Sequence, residues 1–335
     1  MKKNLLLSLI TIVMMAVQGN AETRQVVLLL HEGTGRTFEF DQLQEAVNAA
    51  VAGDTICLNE GNYSFPDNKL VIDKPISIIG TGQSTHLLGS IDISIPDSVT
   101  LTSHLLEALW VYNNVEVKKP VNGLKFRKVK FGGYLGWSAT VRDVEIDRCY
   151  VYAFYNRPEL MGANIINSII RDQLMYKATP LSSITFINCM IGNLNWECGS
   201  YAGNNYSKYV NCIFDRLPYA NELPSLLRNT ECYYSLFKEG NNTKYIGIKD
   251  NCYAIIESGS TSASIFDSSK PNGCSLTEEQ LLEAGYLGDD GKVVGVEGGM
   301  TPYTLVPNGI SVKKSKLEID GEKRELKVTL QLQAQ

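Results

Sequence analysis

Residues 124–256 repeat one short pattern at a near-constant spacing, and no other feature constrains the fold as strongly. The segments Phe126-Arg-Lys-Val129-Lys-Phe131, Ile146-Asp-Arg-Cys149-Tyr-Val151 and Ile165-Ile-Asn-Ser168-Ile-Ile170 align with one another. Phe186-Ile-Asn-Cys189-Met-Ile191, Tyr209-Val-Asn-Cys212-Ile-Phe214, Asn229-Thr-Glu-Cys232-Tyr-Tyr234 and Lys249-Asp-Asn-Cys252-Tyr-Ala254 continue the series. Val129, Cys149, Ser168, Cys189, Cys212, Cys232 and Cys252 share a column, at successive spacings of 20, 19, 21, 23, 20 and 20 residues. Self-similarity at that period is the mark of a solenoid.

The units contain short runs with period-two alternation, rich in Ile, Val, Phe and Tyr and joined by Asn, Gly, Asp and Ser. That is strand chemistry. The Leu-x-x-Leu-x-Leu spacing and helical half of a leucine-rich repeat are missing. A strand rises about 3.3 Å per residue, so such a unit accommodates three short strands and three turns. This predicts an all-β parallel β-helix.

Stacked coils place equivalent residues above one another, and side chains alternate across each strand. The Cys column and the position two residues later are therefore predicted to face inward. The preceding column (Lys128, Arg148, Asn167, Asn188, Asn211, Glu231, Asn251) is polar throughout. Asn tolerates left-handed backbone, which puts this column at a bend. Five of the eight cysteines lie in the inward column, so free buried thiols are expected rather than disulfides.

Residues 1–21 read as a secretory signal peptide: Lys2 and Lys3, an apolar run from Leu5 to Ala16, then Gly19-Asn-Ala21. An exported protein is expected, in the periplasm, at the cell surface or outside the cell. The apolar run is too short to span a membrane, and no cysteine follows it before Cys57, which disfavours a lipid anchor. Losing Lys2 and Lys3 leaves 29 basic against 36 acidic residues, a charge near −7, so nothing favours nucleic acid. Three scattered histidines and the absence of a Cys-x-x-Cys pair argue against zinc, and no cofactor is expected.

Residues 22–298 are read as the solenoid with its N-terminal cap, and 299–335 as an extended tail and hairpin. Residues 40–51 carry a helical apolar stripe, with Asp41 as its cap. A second short helix is expected over 275–284, with Ser275 and Glu278 as a capping box. Two alternating runs flank Asp320-Gly321 and predict a hairpin.

Four stretches resemble the N-terminal coil of the pectate-lyase-like superfamily of right-handed parallel β-helices. They are Phe40-Asp-Gln-Leu-Gln-Glu-Ala-Val-Asn-Ala-Ala50, Gly53-Asp-Thr-Ile56, Glu60-Gly-Asn-Tyr63 and Lys74-Pro-Ile-Ser-Ile-Ile-Gly80. The resemblance covers residues 36–82 and implies right-handed winding. The stretch Gly298-Gly-Met-Thr-Pro-Tyr-Thr-Leu-Val-Pro307 is similar to the ending of secreted β-helix proteins of Bacteroidetes-type bacteria. The catalytic motifs of the superfamily's pectin methylesterases, polygalacturonases and pectate lyases do not carry over, so fold alone assigns no reaction.

Three groups of residues are candidates for function. An aromatic follows the Cys column in five coils: Trp137, Tyr155, Tyr176, Trp196 and Tyr219. If exposed in a line, these rings would suit sugar faces; otherwise they stack inside. The column after Cys (Lys130, Tyr150, Ile169, Met190, Ile213, Tyr233, Tyr253) should point outward yet is largely apolar, so it is either an interaction surface or is covered by the segment after residue 254. Arg171-Asp172 and Asp215-Arg216 sit two coils apart around Gly192-Asn193 and could supply acid, base and charge stabiliser, though such pairs are more often surface ion pairs. The expectation is an exported, non-catalytic protein that binds a polysaccharide or cell-surface glycan; the alternative is a polysaccharide lyase or glycoside hydrolase with a non-standard site. The sequence leaves the oligomeric state open.

Overall fold

The computed structural model describes residues 25–156, 160–172, 175–176, 182–193, 196–197, 207–216, 230–238, 247–255, 264–305, 310–320 and 325–334. Residues 25–305 form one compact unit. The strands Ile310–Asp320 and Glu325–Ala334 pair antiparallel, the hairpin that the sequence predicts, and belong to a separate unit. The signal-peptide segment lies outside the described residues.

The large unit is a β-solenoid whose parallel strands stack into long ladders. One sheet carries the inward column Ile56, Ile78, Leu106, Phe126, Ile146, Ile165, Phe186, Tyr209 and Cys232, all essentially without solvent contact. After a bend, a second sheet carries Tyr63, Leu87, Val111, Phe131, Val151, Ile170, Ile191, Phe214 and Phe237. A third sheet stacks Leu70, Ile91, Val115, Leu135 and Phe154. Like rings stack in the core: Phe186 on Tyr209 at 4.6 Å, and Phe214 on Phe237 at 4.9 Å between centroids.

The bend between the first two sheets explains both marker columns. Lys128, Arg148, Asn167, Asn188, Asn211 and Asn251 all have positive φ, between 46° and 56°. That left-handed residue interrupts the backbone ladder, so neighbouring polar groups need other partners. The next residue supplies them: Ser168 Oγ donates to the Ile166 carbonyl at 2.7 Å and accepts from the Cys149 N–H at 3.0 Å. Cys149 Sγ sits 3.4 Å from both the Asp147 carbonyl and the Val129 N–H. A small side chain with a donor and an acceptor satisfies these groups, and a thiol or a hydroxyl serves in the coils that follow Val129. The seven described cysteines are all free, and burial pushes the Cys57 thiol up to about 11.

One coil departs from the sequence register. Tyr234, not Glu231, adopts the left-handed bend (φ 49°), and Ser235, not Cys232, takes the column position, its Oγ accepting from the Cys212 N–H at 3.1 Å. Leu236 and Phe237 then pair with Ile213 and Phe214. Cys232 pairs with Tyr209 and fills the inward column of the first sheet. The segments Glu-Cys-Tyr-Tyr and Tyr-Ser-Leu-Phe match the repeat almost equally well, and only the pairing with the neighbouring coil separates them.

Before the ladder, Val26–His31 pairs antiparallel with Thr34–Glu39 and with Thr55–Leu58. The helix Leu43–Ala49 buries Leu43, Ala46 and Val47. It is shorter than predicted, and its N-cap is Gln42 without a side-chain bond, so Asp41 does not cap it. The second helix, Glu278–Glu283, has its capping box on Thr277 and Gln280 rather than Ser275 and Glu278, because the first turn starts two residues later.

Residues 264–305 cross the outside of the second sheet. Ile265, Cys274, Leu281, Val293, Val294 and Val296 form a second core with Ile169, Met190, Ile213 and Leu236. The segment is pinned from the bends: Asn211 Nδ2 donates to Asp289 Oδ1 at 2.7 Å, the Gly295 N–H to the Asn211 carbonyl at 2.7 Å, and Asn167 Nδ2 to the Gly298 carbonyl at 3.1 Å. Gly295 has φ of 86°, a backbone that L side chains rarely adopt, where the segment passes over Ile213.

Candidate functional site

The outer column of the second sheet continues above the covered stretch through Asn62, His86, Trp110, Lys130 and Tyr150. The neighbouring outward column, two residues further along each strand, holds Leu88, Tyr112, the pair Gly132-Gly133, Tyr152 and Arg171, by extension of the same registers. Leu88, Tyr112 and Tyr152 are 36%, 39% and 37% exposed. The sequence pattern places them: Trp110-Val-Tyr112 and Tyr150-Val-Tyr152 each bury the valine and turn both aromatics outward.

Each exposed tyrosine is backed by a neighbour. Trp110 stacks on Tyr112 with centroids 4.3 Å apart and planes 16° from parallel. His86 meets both rings edge-on, and its imidazole is held by Asn62 Oδ1 at 2.7 Å and the Gln83 carbonyl at 2.6 Å. The Arg171 guanidinium lies 4.9 Å from the Tyr152 ring centre. Between these platforms the Lys130 ammonium sits 3.7 Å above the Trp110 ring and 5.8 Å from Tyr150. Partial burial lowers the Lys130 pKa, while the rings offset part of that cost by cation–π attraction. Gly132 and Gly133 form a bulge with no side chain, where a Cβ would lie 2.8 Å from the Tyr112 carbonyl or 2.4 Å from Asn114 Oδ1. The result is a shallow strip with a tyrosine at each end, a cation in the middle and bare backbone between.

Of the aromatics singled out from the sequence, only the Trp137 side chain is among the described residues, and it faces inward. Trp137 is 2% exposed, stacks on Phe154, and lies in register with Ile72, Ile93 and Val117 on the inner side of the third sheet. The stacked-interior reading holds for Trp137, which is thereby removed from an exposed binding stripe. Trp137 pairs with Asn156 rather than Tyr155, and Trp196 with Met175 rather than Tyr176, so the backbone register offsets these aromatics. Tyr219 and the side chains of Tyr155, Tyr176 and Trp196 lie outside the described residues.

Arg171, Gly192 and Asp215 do fall in matching positions of successive coils, as do Asp172, Asn193 and Arg216. Asp215, however, is buried and engaged: it accepts from Ser264 Oγ at 2.7 Å and from the Ile265 N–H. It ties down the crossing segment, and Phe266 covers Gly192. The side chains of Asp172 and Arg216 lie outside the described residues. On the first sheet, Arg127 Nε donates to Glu107 at 2.9 Å, Lys125 lies 3.3 Å from Glu145, and His104 sits between the two glutamates at 3.8 and 4.0 Å. Burial and the nearby Arg127 lower the His104 pKa, so the imidazole stays neutral near pH 7. Among the described residues no cluster of His, Cys, Asp and Glu is arranged to hold a metal ion, and no helix is long and apolar enough to cross a membrane.

Sequence reasoning missed Trp110, Tyr112 and Tyr152 because the coil around Trp110 lies before the regular ladder. The usable signal was the aromatic-Val-aromatic triplet recurring two coils apart around two glycines. Comparison of the chain with protein-family models, with curated protein sequences and with solved structures finds no match.

Proposed function

We propose that this chain is an exported right-handed parallel β-helix of the pectate-lyase-like type, capped at its N-terminal end by the helix Leu43–Ala49, that binds carbohydrate without cleaving it. The observation that supports this reading is the strip from Tyr112 to Tyr152. Two tyrosine rings, each backed on one side by Trp110 or Arg171, flank a lysine on the open part of an otherwise covered face. Aromatic faces accept the C–H faces of pyranoses, while a lysine ammonium and the tyrosine hydroxyls reach sugar hydroxyls. A shallow, rigid strip on stacked strands suits a chain-like ligand at a cell surface better than a small molecule, which prefers a deep pocket. Asp215 is committed to Ser264 and Ile265, which leaves the pair proposed for acid–base work without a solvent-facing carboxylate at that position.

The test is a glycan array on the mature protein, with tryptophan fluorescence as the second readout, since Trp110 underlies Tyr112. Binding that changes Trp emission and is lost in both Tyr112→Ala and Tyr152→Ala is the expected outcome. Binding that survives both substitutions, or cleavage of a bound glycan, would overturn the reading.

A further inference from the structure

We infer that the strip selects an extended β-1,4-linked glycan lying along the solenoid axis, with one sugar on Tyr112 and the next but one on Tyr152. This rests on the carbohydrate-binding reading above. The register sets the argument. Tyr112 follows Val111 and Tyr152 follows Val151, and both valines pair with Phe131 of the coil between them. The two tyrosines are therefore two coils apart on one line, about 9.6 Å at the usual interstrand spacing.

In an extended two-fold β-1,4-linked chain each sugar is flipped relative to the one before. Every second sugar presents the same face, and the repeat is one disaccharide, close to the separation of the tyrosines. An α-1,4-linked glucan coils and cannot keep this period along a straight ladder. The intervening coil offers what the flipped middle sugar requires. Gly132 and Gly133 carry no side chain to collide with it, and Lys130, held over Trp110, presents ammonium donors beside the gap. Rings two coils apart with nothing raised between them match the disaccharide period, where an aromatic in every coil would not.

The experiment is calorimetric titration of the mature protein with β-1,4-linked gluco-, xylo- and N-acetylglucosamine oligosaccharides of two to six units, beside coiling α-1,4-linked gluco-oligosaccharides of the same lengths. The expected result is an affinity step of about tenfold from disaccharide to trisaccharide in a β-linked series, the shortest ligand that reaches both rings. Tyr112→Ala and Tyr152→Ala should each remove the step, whereas Tyr112→Phe and Tyr152→Phe, which keep the ring, should retain it. Circular dichroism of each variant separates lost binding from lost fold. If α-linked chains bind as well as β-linked ones, or no step appears, while the alanine variants still lose binding, the linkage inference falls and the carbohydrate reading stands. If neither these oligosaccharides nor any arrayed glycan binds, both fall.

Discussion

The outer column of the second sheet is treated in two opposite ways along its length. Toward the N-terminus it reads Asn62, His86, Trp110, Lys130 and Tyr150; toward the C-terminus it reads Ile169, Met190, Ile213, Leu236 and Tyr253. Both stretches are parallel strands of one ladder, the first interrupted by the bulge at Gly132-Gly133. The second stretch is dry because residues 264–305 lie across it and make a second apolar core outside the sheet. The first lies beyond that core except at Tyr150, which packs against its edge, and fills its outer positions with side chains that tolerate water on one side and packing on the other. A solenoid face thus becomes core or binding surface according to what the rest of the chain lays over it, and alternation alone does not distinguish the two.

A charge placed on each stretch breaks the symmetry most visibly. Met190→Asp buries an unpaired carboxylate between the sheet and the crossing segment and should cost about 4 kcal/mol or more. Tyr112→Asp on the open stretch should cost under about 1 kcal/mol. Denaturant unfolding of both variants measures the difference, and equal losses would mean that the two stretches are not distinct.

Asp215→Ala should come next, at about 2 kcal/mol, since it removes a charged acceptor from Ser264 and Ile265. Amide exchange should accelerate in residues 264–305 and stay unchanged at Trp110 and Tyr112. Faster exchange at both places would show that the segment supports the whole face rather than its covered half.

A smaller effect of opposite sign is expected at the irregular coil. Tyr234 occupies the left-handed bend that Asn takes in neighbouring coils. Tyr234→Asn should relieve part of that strain and raise stability by about 0.5–1 kcal/mol. No gain, or a loss, would show that the Tyr234 ring contributes more by packing than its backbone costs.

The smallest effect lies beyond both stretches. His31 Nδ1 meets Asp54 Oδ1 at 2.7 Å, and this hydrogen bond and charge raise the His31 pKa. A pKa raised in the folded state means that the contribution is fully present below the histidine's ordinary value of 6.5 and is lost as pH rises through the folded value. Because His31 is exposed, the loss should be slight; comparing pH profiles of the native chain and His31→Asn over that window measures it. A profile unchanged by the substitution would remove the pair from any structural role.

Much of the solenoid was legible from particular residues. The Asn, Lys and Arg column marked the left-handed bend, the residue two after Cys marked the second sheet's core, and cysteine spacing marked thiols that form no disulfide among the described residues. These are local consequences of backbone sterics and side-chain alternation, repeated often enough to read. The reason for Cys and Ser at the bend was not legible, because their bonds run to the backbone of the same bend and of the adjacent coil.

Three outcomes belonged to the tertiary structure. Glu-Cys-Tyr-Tyr and Tyr-Ser-Leu-Phe compete for one register, and pairing with Ile213 and Phe214 selects the second. Trp137's distance from the Cys column left an exposed platform and an interior stack both open, and the third sheet's register turns it inward against Phe154. The apolar outer column left an interaction surface and a covered face both open, and residues 264–305 cover it from Ile169 to Leu236, as the second reading expected. The sequence by itself determined the coil, since each bend and strand depends on residues close along the chain. Which faces meet water was decided only by contacts between distant parts of the chain, which burial and register set together and no local pattern records.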